Sequence, residues 1–297
     1  MQITGAYTAL ITPFNADGSA VDYDRLKANV TYQIDQGIDG VVPVGTTGES
    51  PTVSHDEHNK IITAVVEAAG GKVQVIAGTG SNNTAEALAT TKHAKDVGAD
   101  AALMVNPYYN KPTQEGLYRH FMTIADQVGL PIVLYNIPGR TNVTMSPDTV
   151  ARLYQHDMIV AIKEATGSLD MASEIASRCD IPIISGDDSL TLPLISIGGK
   201  GVISVLSNLL PAKVKALVKA GLSNNLLAAR ALHHELFHLC KGLLTLSTNP
   251  IPIKAAMKMT GVDTGAVRLP LTELDDGQAA QLEALLKQTG VLEGARV

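Results

Sequence analysis

The sequence contains no tryptophan, and its aromatic content is only 4% of 297 residues. So few aromatic rings argue against a stacking surface for single-stranded nucleic acid. The chain has no tract of basic residues and its formal net charge is −6, so a phosphate backbone is a poor partner. We therefore expect a protein that does not bind nucleic acid.

Long hydrophobic runs and a cysteine framework are also missing. No apolar run approaches the roughly 18 residues that suggest a membrane span. The first residues, MQITGAYTAL, lack the basic and apolar regions of a signal peptide. Cys179 and Cys240 are isolated and fit neither a disulfide framework nor a paired-cysteine metal site. These features predict a cytoplasmic protein with reduced thiols and no membrane contact.

What the sequence does contain is a succession of eight short apolar runs: AYTALITPF, GVVPVGTTGES, VQVIAGTG, AALMVNPYY, PIVLYNIPGR, IVAIKEATG, IPIISGDD and GVISVLSN. They lack apolar–polar alternation, which is typical of strands covered on both faces in a parallel sheet. Helical patterns lie between them. Ser54 and Glu57 have capping-box spacing, Ser146 and Pro147 suggest a helix start, and Gly221 suggests a helix end.

Eight strand–helix units predict an α/β fold, a (β/α)8 or TIM barrel, over residues 1–224. Residues 225–297 have helical patterns around the proline-rich stretch STNPIPIK. We expect this region to form a C-terminal helical appendix packed on the barrel.

Lys163 directly follows the apolar residues of the sixth run. Active sites of TIM barrels lie at the carboxyl ends of the strands, so a lysine here lies at the catalytic rim. The ends of other runs bring more polar groups and a glycine to the same rim: Thr46, Thr47, Tyr109, Tyr135, Arg140, Gly186 and Asp187.

Two interpretations of Lys163 are open. It could pair structurally with a carboxylate, for which Asp187, Asp188 and Glu49 are candidates. Alternatively, it could be a Schiff-base nucleophile, since burial disfavours the ammonium form of a lysine and frees the amine to attack a carbonyl. Imine formation needs a proton shuttle, which the hydroxyl of Tyr135, one strand earlier, could provide.

Six motifs bear on this choice: GTTGES, NPYYNKP, YNIPGRT, IKEATG, SGDD and GGKGVISV. Their order and spacing resemble those of the pyruvate-dependent class I aldolase and lyase family, from about Gly5 to beyond NPIPIK. Within that family, the sequence is similar to the members that condense pyruvate with aspartate semialdehyde in lysine biosynthesis. A sister aldolase, such as an N-acetylneuraminate lyase or a keto-deoxy sugar-acid aldolase, remains an alternative.

The resemblance implies a role for each rim residue. Lys163 would form an imine with pyruvate, Tyr135 would move protons, and Thr46 and Tyr109 would complete a proton relay. Thr47 would hold the pyruvate carboxylate. The remaining implied contacts are backbone groups near Gly186 and Ile203 for pyruvate, and Arg140 for the carboxylate of the aldehyde. No cofactor and no metal are implied.

The resemblance also implies assembly and regulation. The expected state is a homotetramer, a dimer of dimers in which Tyr109 reaches into the neighbouring subunit's site. L-lysine is an expected feedback inhibitor. Positions that match the family's lysine pocket are Ser50, His55, His58, Asn82, Glu86 and Tyr108, with Pro51 as a departure from the usual alanine.

Three other sequence patterns are reminiscent of metal-binding or phosphate-binding sites. HELFH, from His234 to His238, matches a zinc-protease signature and supports a rival hypothesis of a zinc hydrolase, but no third ligand is apparent. GGKG lacks the spacing of a phosphate-binding loop and precedes the eighth strand. Asp187 and Asp188 could suggest a metal, but we expect a helix N-cap. A non-catalytic barrel is a further alternative.

Overall fold

A closed barrel of eight parallel strands forms the centre of the computed structural model, which describes residues 1–292. Each strand pairs with the next in the sequence, and β1 also pairs with β8. The predicted (β/α)8 fold is therefore confirmed. The strands are β1 (Gly5–Ala9), β2 (Gly40–Val42), β3 (Gln74–Gly78), β4 (Ala101–Val105), β5 (Ile132–Asn136), β6 (Ile159–Glu164), β7 (Ile183–Ser185) and β8 (Gly201–Ser204).

Helices connect the strands and surround the barrel. They are α1 (Tyr23–Asp35), α2 (His55–Ala69), α3 (Thr84–Asp96), α4 (Gln114–Val128), α5 (Pro138–Thr141), α6 (Pro147–Leu153), α7 (Leu169–Arg178), α8 (Thr191–Ser196) and α9 (Pro211–Leu222). Three more follow: α10 (Leu226–Thr245), α11 (Ile251–Met259) and α12 (Asp276–Gln288). No helix among residues 1–292 is both long enough and apolar enough to cross a membrane.

The strands are apolar on both faces because each face meets a separate hydrophobic cluster. On β5, Val133 and Tyr135 point into the barrel interior, whereas Ile132 and Leu134 pack against the outer helices. Adjacent residues of a strand alternate between faces. This two-sided burial explains the apolar runs without polar alternation.

The local signals at helix ends are correct in two cases and wrong in one. Ser54 and Glu57 form a complete capping box at α2, and the Ser146 side chain accepts a hydrogen bond from Thr149 N at α6. Gly221, however, does not end α9, which continues to Leu222. A Cβ on Gly221 would lie 3.2 Å from Ile195 Cγ2, so this glycine permits close packing on α8.

Of the C-terminal helices, α10 lies against the barrel helix α9, and α12 packs on α10 and α11. Three residues separate the end of α9 from the start of α10, which packs along α9, and the chain then bends at residues 246–250. The bend places Asn249 at the mouth of the barrel, where its side chain bonds to Thr47. The division at residues 224 and 225 stays a prediction.

Candidate active site

A cavity of about 370 Å³ opens at the carboxyl ends of the strands. Six of the predicted site residues line it: Thr46, Thr47, Tyr135, Arg140, Lys163 and Gly186. Ile203 is fully buried on β8 inside the barrel. Tyr109 is not among the lining residues within the described part of the chain, and 89% of its surface is exposed.

Lys163 lies at the end of β6, in register with Tyr135 at the end of β5. Only 6% of Lys163 is exposed, and its Nζ lies 4.2 Å from the centroid of the Tyr135 ring. The next residue, Glu164, points to the opposite face and accepts hydrogen bonds from Asn136 Nδ2 and Thr166 N. Strand alternation thus directs the amine and the phenol into the barrel mouth together.

The carboxylates that could have paired with Lys163 are engaged elsewhere or lie farther away. Glu49 forms a buried ion pair with Lys254. Asp188 Oδ2 accepts hydrogen bonds from the backbone amides that follow β8. Asp187 lines the same cavity but forms no ion pair with Lys163 among the described residues. The interpretation of Lys163 as half of a structural ion pair is therefore wrong.

The prediction of a helix N-cap at the two aspartates is confirmed in position only, since Asp187 occupies the N-cap position of the turn that follows. Asp187 precedes a single 3-10 turn, Asp188–Leu190, but its side chain makes no capping hydrogen bond. Asp188 instead faces β8, where Val205 N and Leu206 N donate to it at 2.9 and 3.1 Å. The Asp188 carboxylate therefore satisfies two backbone amides that follow β8.

The turn after β2 carries Thr46 and Thr47. The backbone is left-handed at Val44 (φ 46°) and at Glu49 (φ 53°), which folds the segment tightly. Thr47 is buried, and its Oγ1 accepts a hydrogen bond of 2.9 Å from Asn249 Nδ2. Because the amide donates, the Thr47 hydroxyl keeps its own proton available for an acceptor in the cavity.

Arg140 lies on α5 at the cavity rim. Its Nη2 donates to the Asn249 carbonyl at 3.1 Å and to Thr248 Oγ1 at 3.4 Å. Asn249 therefore bonds to both predicted substrate contacts, Thr47 and Arg140. Asn249 is not recognisable as a site residue from the sequence, where its only signal is the proline-rich stretch STNPIPIK.

Gly186 leaves room beside the lysine. A Cβ at this position would lie 2.5 Å from Ala165 Cβ and 3.1 Å from Lys163 Cε. The clash with Ala165 means that any larger residue would force a shift beside Lys163, so glycine is required here for packing.

A second cavity of about 250 Å³ adjoins the first and shares Thr46, Tyr135 and Arg140 with it. Ser50 and Tyr108, two residues of the predicted lysine pocket, line this cavity. Burial raises the pKa of Tyr108, and the negative charge of Glu86 raises it further. The structure therefore brings Ser50, Tyr108 and Glu86 to one side of the barrel mouth.

The other predicted lysine-site residues lie on neighbouring segments. Burial, with a contribution from the charge of His55, lowers the pKa of His58 to about 4. The Asn82 carbonyl accepts a hydrogen bond from Asn110 Nδ2 in the loop that carries Tyr108. Within residues 1–292, no hydrogen bond or ion pair joins the two histidines to Glu86, so their place in one pocket stays a prediction.

The HELFH motif lies on α10. His234 and His238 are exposed, and Glu235 forms an ion pair with Lys213 at 2.6 Å. Within residues 1–292, no group of three histidine, cysteine, aspartate or glutamate residues could hold a metal ion. The motif has the geometry of a solvated helix face.

Comparison with known proteins identifies the family. The model of the dihydrodipicolinate synthetase family matches residues 2–289. A 4-hydroxy-tetrahydrodipicolinate synthase from Geobacter sp. (strain M21) is 51% identical, over 96% of this chain and 98% of that protein. The crystal structure of dihydrodipicolinate synthase from Aquifex aeolicus has a TM-score of 0.95 and 47% identity, covering 97% of this chain and 99% of that one.

Two further solved structures were determined with small molecules. The chloride-inhibited dihydrodipicolinate synthase from Acinetobacter baumannii is complexed with pyruvate; it is 42% identical, with a TM-score of 0.94 over 98% of this chain and 100% of that one. The enzyme from Cyanidioschyzon merolae has lysine bound; it is 38% identical, with a TM-score of 0.94 over 97% and 99% of the two chains. With the family model, these likenesses show that the chain belongs to the dihydrodipicolinate synthetase family.

Proposed function

We propose that the chain condenses pyruvate with L-aspartate 4-semialdehyde to give 4-hydroxy-tetrahydrodipicolinate, a lyase reaction of lysine and diaminopimelate biosynthesis. The observation that carries this proposal is Lys163, a buried lysine that forms no ion pair within residues 1–292 and lies beside Tyr135 in the same cavity. Relatives of about half-identical sequence bear the name of this activity over nearly the whole chain.

The reaction begins with attack of the Lys163 amine on the ketone carbon of pyruvate. Loss of water gives an imine, and loss of a methyl proton gives an enamine that attacks the aldehyde carbon. Tyr135 lies beside Nζ and would carry these protons, in a relay with Thr46 and the partner subunit's Tyr109. The chemistry needs only the lysine amine and the proton carriers.

Each substrate carboxylate has a proposed partner. Thr47 would donate its hydroxyl proton to the carboxylate of pyruvate, with backbone groups near Gly186 and Ile203 assisting. Arg140, whose planar guanidinium suits a carboxylate, would bind the aldehyde substrate. A sister aldolase would share Lys163 and Tyr135, but the names of the relatives favour the synthase.

Borohydride reduction in the presence of pyruvate tests the proposal. We expect one reduced pyruvyl group per chain, at Lys163, and loss of the adduct in Lys163→Arg, because guanidinium stays protonated. Peptide mapping to Lys254 or Lys258, or no adduct, would contradict it. A coupled assay with aspartate semialdehyde, run beside N-acetylneuraminate cleavage, separates the synthase from its sister activities.

Two further proposals concern the oligomeric state of the protein and its location in the cell. We propose a homotetramer in which each site receives Tyr109 from a neighbour; its 89% exposure and left-handed φ of 70° support a side chain that reaches away from its own barrel. We also place the enzyme in the cytoplasm, where Cys179 and Cys240 would remain thiols.

L-lysine is the proposed feedback inhibitor. Its pocket would contain Ser50, His55, His58, Asn82, Glu86 and Tyr108, with Glu86 facing an ammonium group. A cavity that shares Thr46 with the active site supports a short coupling route. Lysine titration of the coupled assay should show inhibition that weakens in Glu86→Ala. Absence of inhibition at millimolar lysine, or inhibition unchanged by this substitution, would contradict the assignment.

A further inference from the structure

Among the described residues, none pairs with or donates a hydrogen bond to the Asp187 carboxylate, which lies at the active-site cavity. It follows β7 and is only partly exposed. Its side chain does not cap the turn that follows, and it makes no hydrogen bond or ion pair among residues 1–292. The neighbouring Asp188, in contrast, is satisfied by two backbone amides.

The surroundings of Asp187 indicate what it could bind. Burial raises the pKa of its carboxyl, while the positive charges of Lys163 and Lys241 act in the opposite direction from beyond ion-pair distance. A partly desolvated carboxylate without a donor is unfavourable, so a cationic donor that enters the cavity is stabilised there.

The lining of the cavity restricts the choice further. Among the described residues that line it, Asp187 is the only acidic one, and the basic ones are Lys163 and Arg140. If Lys163 carries pyruvate and Arg140 holds a carboxylate, then Asp187 is the lining group that can pair with a cation. This step rests on the proposed function.

The second substrate of that function matches this arrangement. L-aspartate 4-semialdehyde carries a carboxylate and an ammonium group on the same carbon atom, and the two groups need opposite charges in one site. We propose that the Asp187 carboxylate binds the α-ammonium group of the aldehyde substrate and thereby selects amino-bearing aldehydes. Arg140 and Asp187 then hold the two charged groups, and the aldehyde is presented to the enamine on Lys163.

A deamino analogue provides the test. Succinic semialdehyde has the same aldehyde and carboxylate but no ammonium group. In Asp187→Asn, the KM for aspartate semialdehyde should rise at least about tenfold, because the amide removes the charge but keeps the shape. The inhibition constant of succinic semialdehyde, measured against the true substrate, should stay the same or fall. Arg140→Ala is the matched control and should weaken the binding of both aldehydes.

Pyruvate trapping separates the possible failures. Asp187→Asn should still form the reduced pyruvyl adduct at Lys163, which shows that the fold and the pyruvate site are intact. If the wild type forms no adduct, the proposed function itself is wrong. If pyruvate trapping survives but Asp187→Asn weakens the binding of both aldehydes equally, or of neither, the assignment of Asp187 is overturned. Asp187→Ala, measured in the same way, guards against a defect specific to asparagine.

Discussion

Lys254 and Glu49 form an ion pair in which neither side chain has any exposed surface. Lys254 Nζ also donates to the Ala266 carbonyl at 2.8 Å and lies 4.0 Å from the centroid of the Phe14 ring. Glu49 Oε1 accepts a hydrogen bond from Arg268 N. Since Glu49 follows Thr47 by two residues, this pair ties the turn that carries Thr47 to the C-terminal helices.

Removing one partner of this pair should destabilise the protein strongly. Lys254→Met would leave a buried carboxylate uncompensated, so we expect the free energy of unfolding to fall by about 3–5 kcal/mol. The double variant with Glu49→Gln should lose less than the sum of the single variants. Urea denaturation measures both. Lys258→Met, in an exposed pair with Glu273, is the control and should have little effect. Additive losses would show that the two side chains do not interact.

Substitution of Asn249 should raise the KM for pyruvate more than the KM for the aldehyde. Its side chain donates to Thr47, whereas only its backbone carbonyl contacts Arg140. Asn249→Asp would replace the donor by an acceptor and turn the Thr47 proton away from the substrate. We expect the KM for pyruvate to rise at least about tenfold, with a smaller change for the aldehyde. Steady-state kinetics with each substrate varied decide this, and equal changes would mean a general disturbance.

Substitution of Arg140 should have the opposite effect and impair use of the aldehyde more than use of pyruvate. If its guanidinium pairs with the carboxylate of the semialdehyde, Arg140→Ala should lower kcat/KM for the aldehyde by the equivalent of about 2–5 kcal/mol. Pyruvate trapping at Lys163 should survive, because Arg140 contacts Thr248 and Asn249 rather than Lys163. Parallel loss of trapping and aldehyde use would instead assign Arg140 to the fold or to the pyruvate site.

The parts of this enzyme that sequence alone could predict are those set by local pattern. The strands are recognisable because both faces are buried, and Lys163 and Tyr135 follow from strand alternation combined with the rule that barrel sites lie at strand ends. Gly221 shows the limit of local reading, since a glycine needed for packing on Ile195 looks the same as a glycine that ends a helix.

Contacts across the chain could not be predicted in this way. Asn249 lies 202 residues from Thr47, and Lys254 lies 205 residues from Glu49. Nothing in the spacing of either pair indicates contact, because the barrel closes and the C-terminal chain returns over its mouth. For the same reason, the sequence leaves Glu49 open as a partner of Lys163, whereas in the structure Glu49 pairs with Lys254.

His120 should make the protein less stable in mild acid. It is 5% exposed, its Nδ1 contacts Thr84 Oγ1 at 2.9 Å, and burial lowers its pKa from 6.5 to about 4. Between these values the unfolded chain binds a proton that the folded chain does not, so stability falls as the pH drops from 6.5 towards 4.

The contribution of His120 can be isolated by comparing two pH values. From pH 7.5 to 5 this group should remove up to about 2 kcal/mol of unfolding free energy. His120→Asn should lose correspondingly less than the wild type over that range, as measured by urea denaturation. His234→Asn, at an exposed position on α10, is the control. An unchanged pH dependence in His120→Asn would mean that the folded protein protonates this ring freely.

Tyr109 should act in a site other than that of its own chain. It follows β4 but does not line the cavity around Lys163 within the described residues, and 89% of it is exposed. If a partner supplies this hydroxyl, subunits carrying Tyr109→Phe or Lys163→Ala should each be nearly inactive. When the two variants are mixed in equal amounts and refolded together, they should recover about a quarter of wild-type activity. Half of the tight dimers are then hybrids, and each hybrid has one complete site. Light scattering should show no active monomer. A fully active monomer, or no recovery in hybrids of confirmed composition, would show that the sites are not shared.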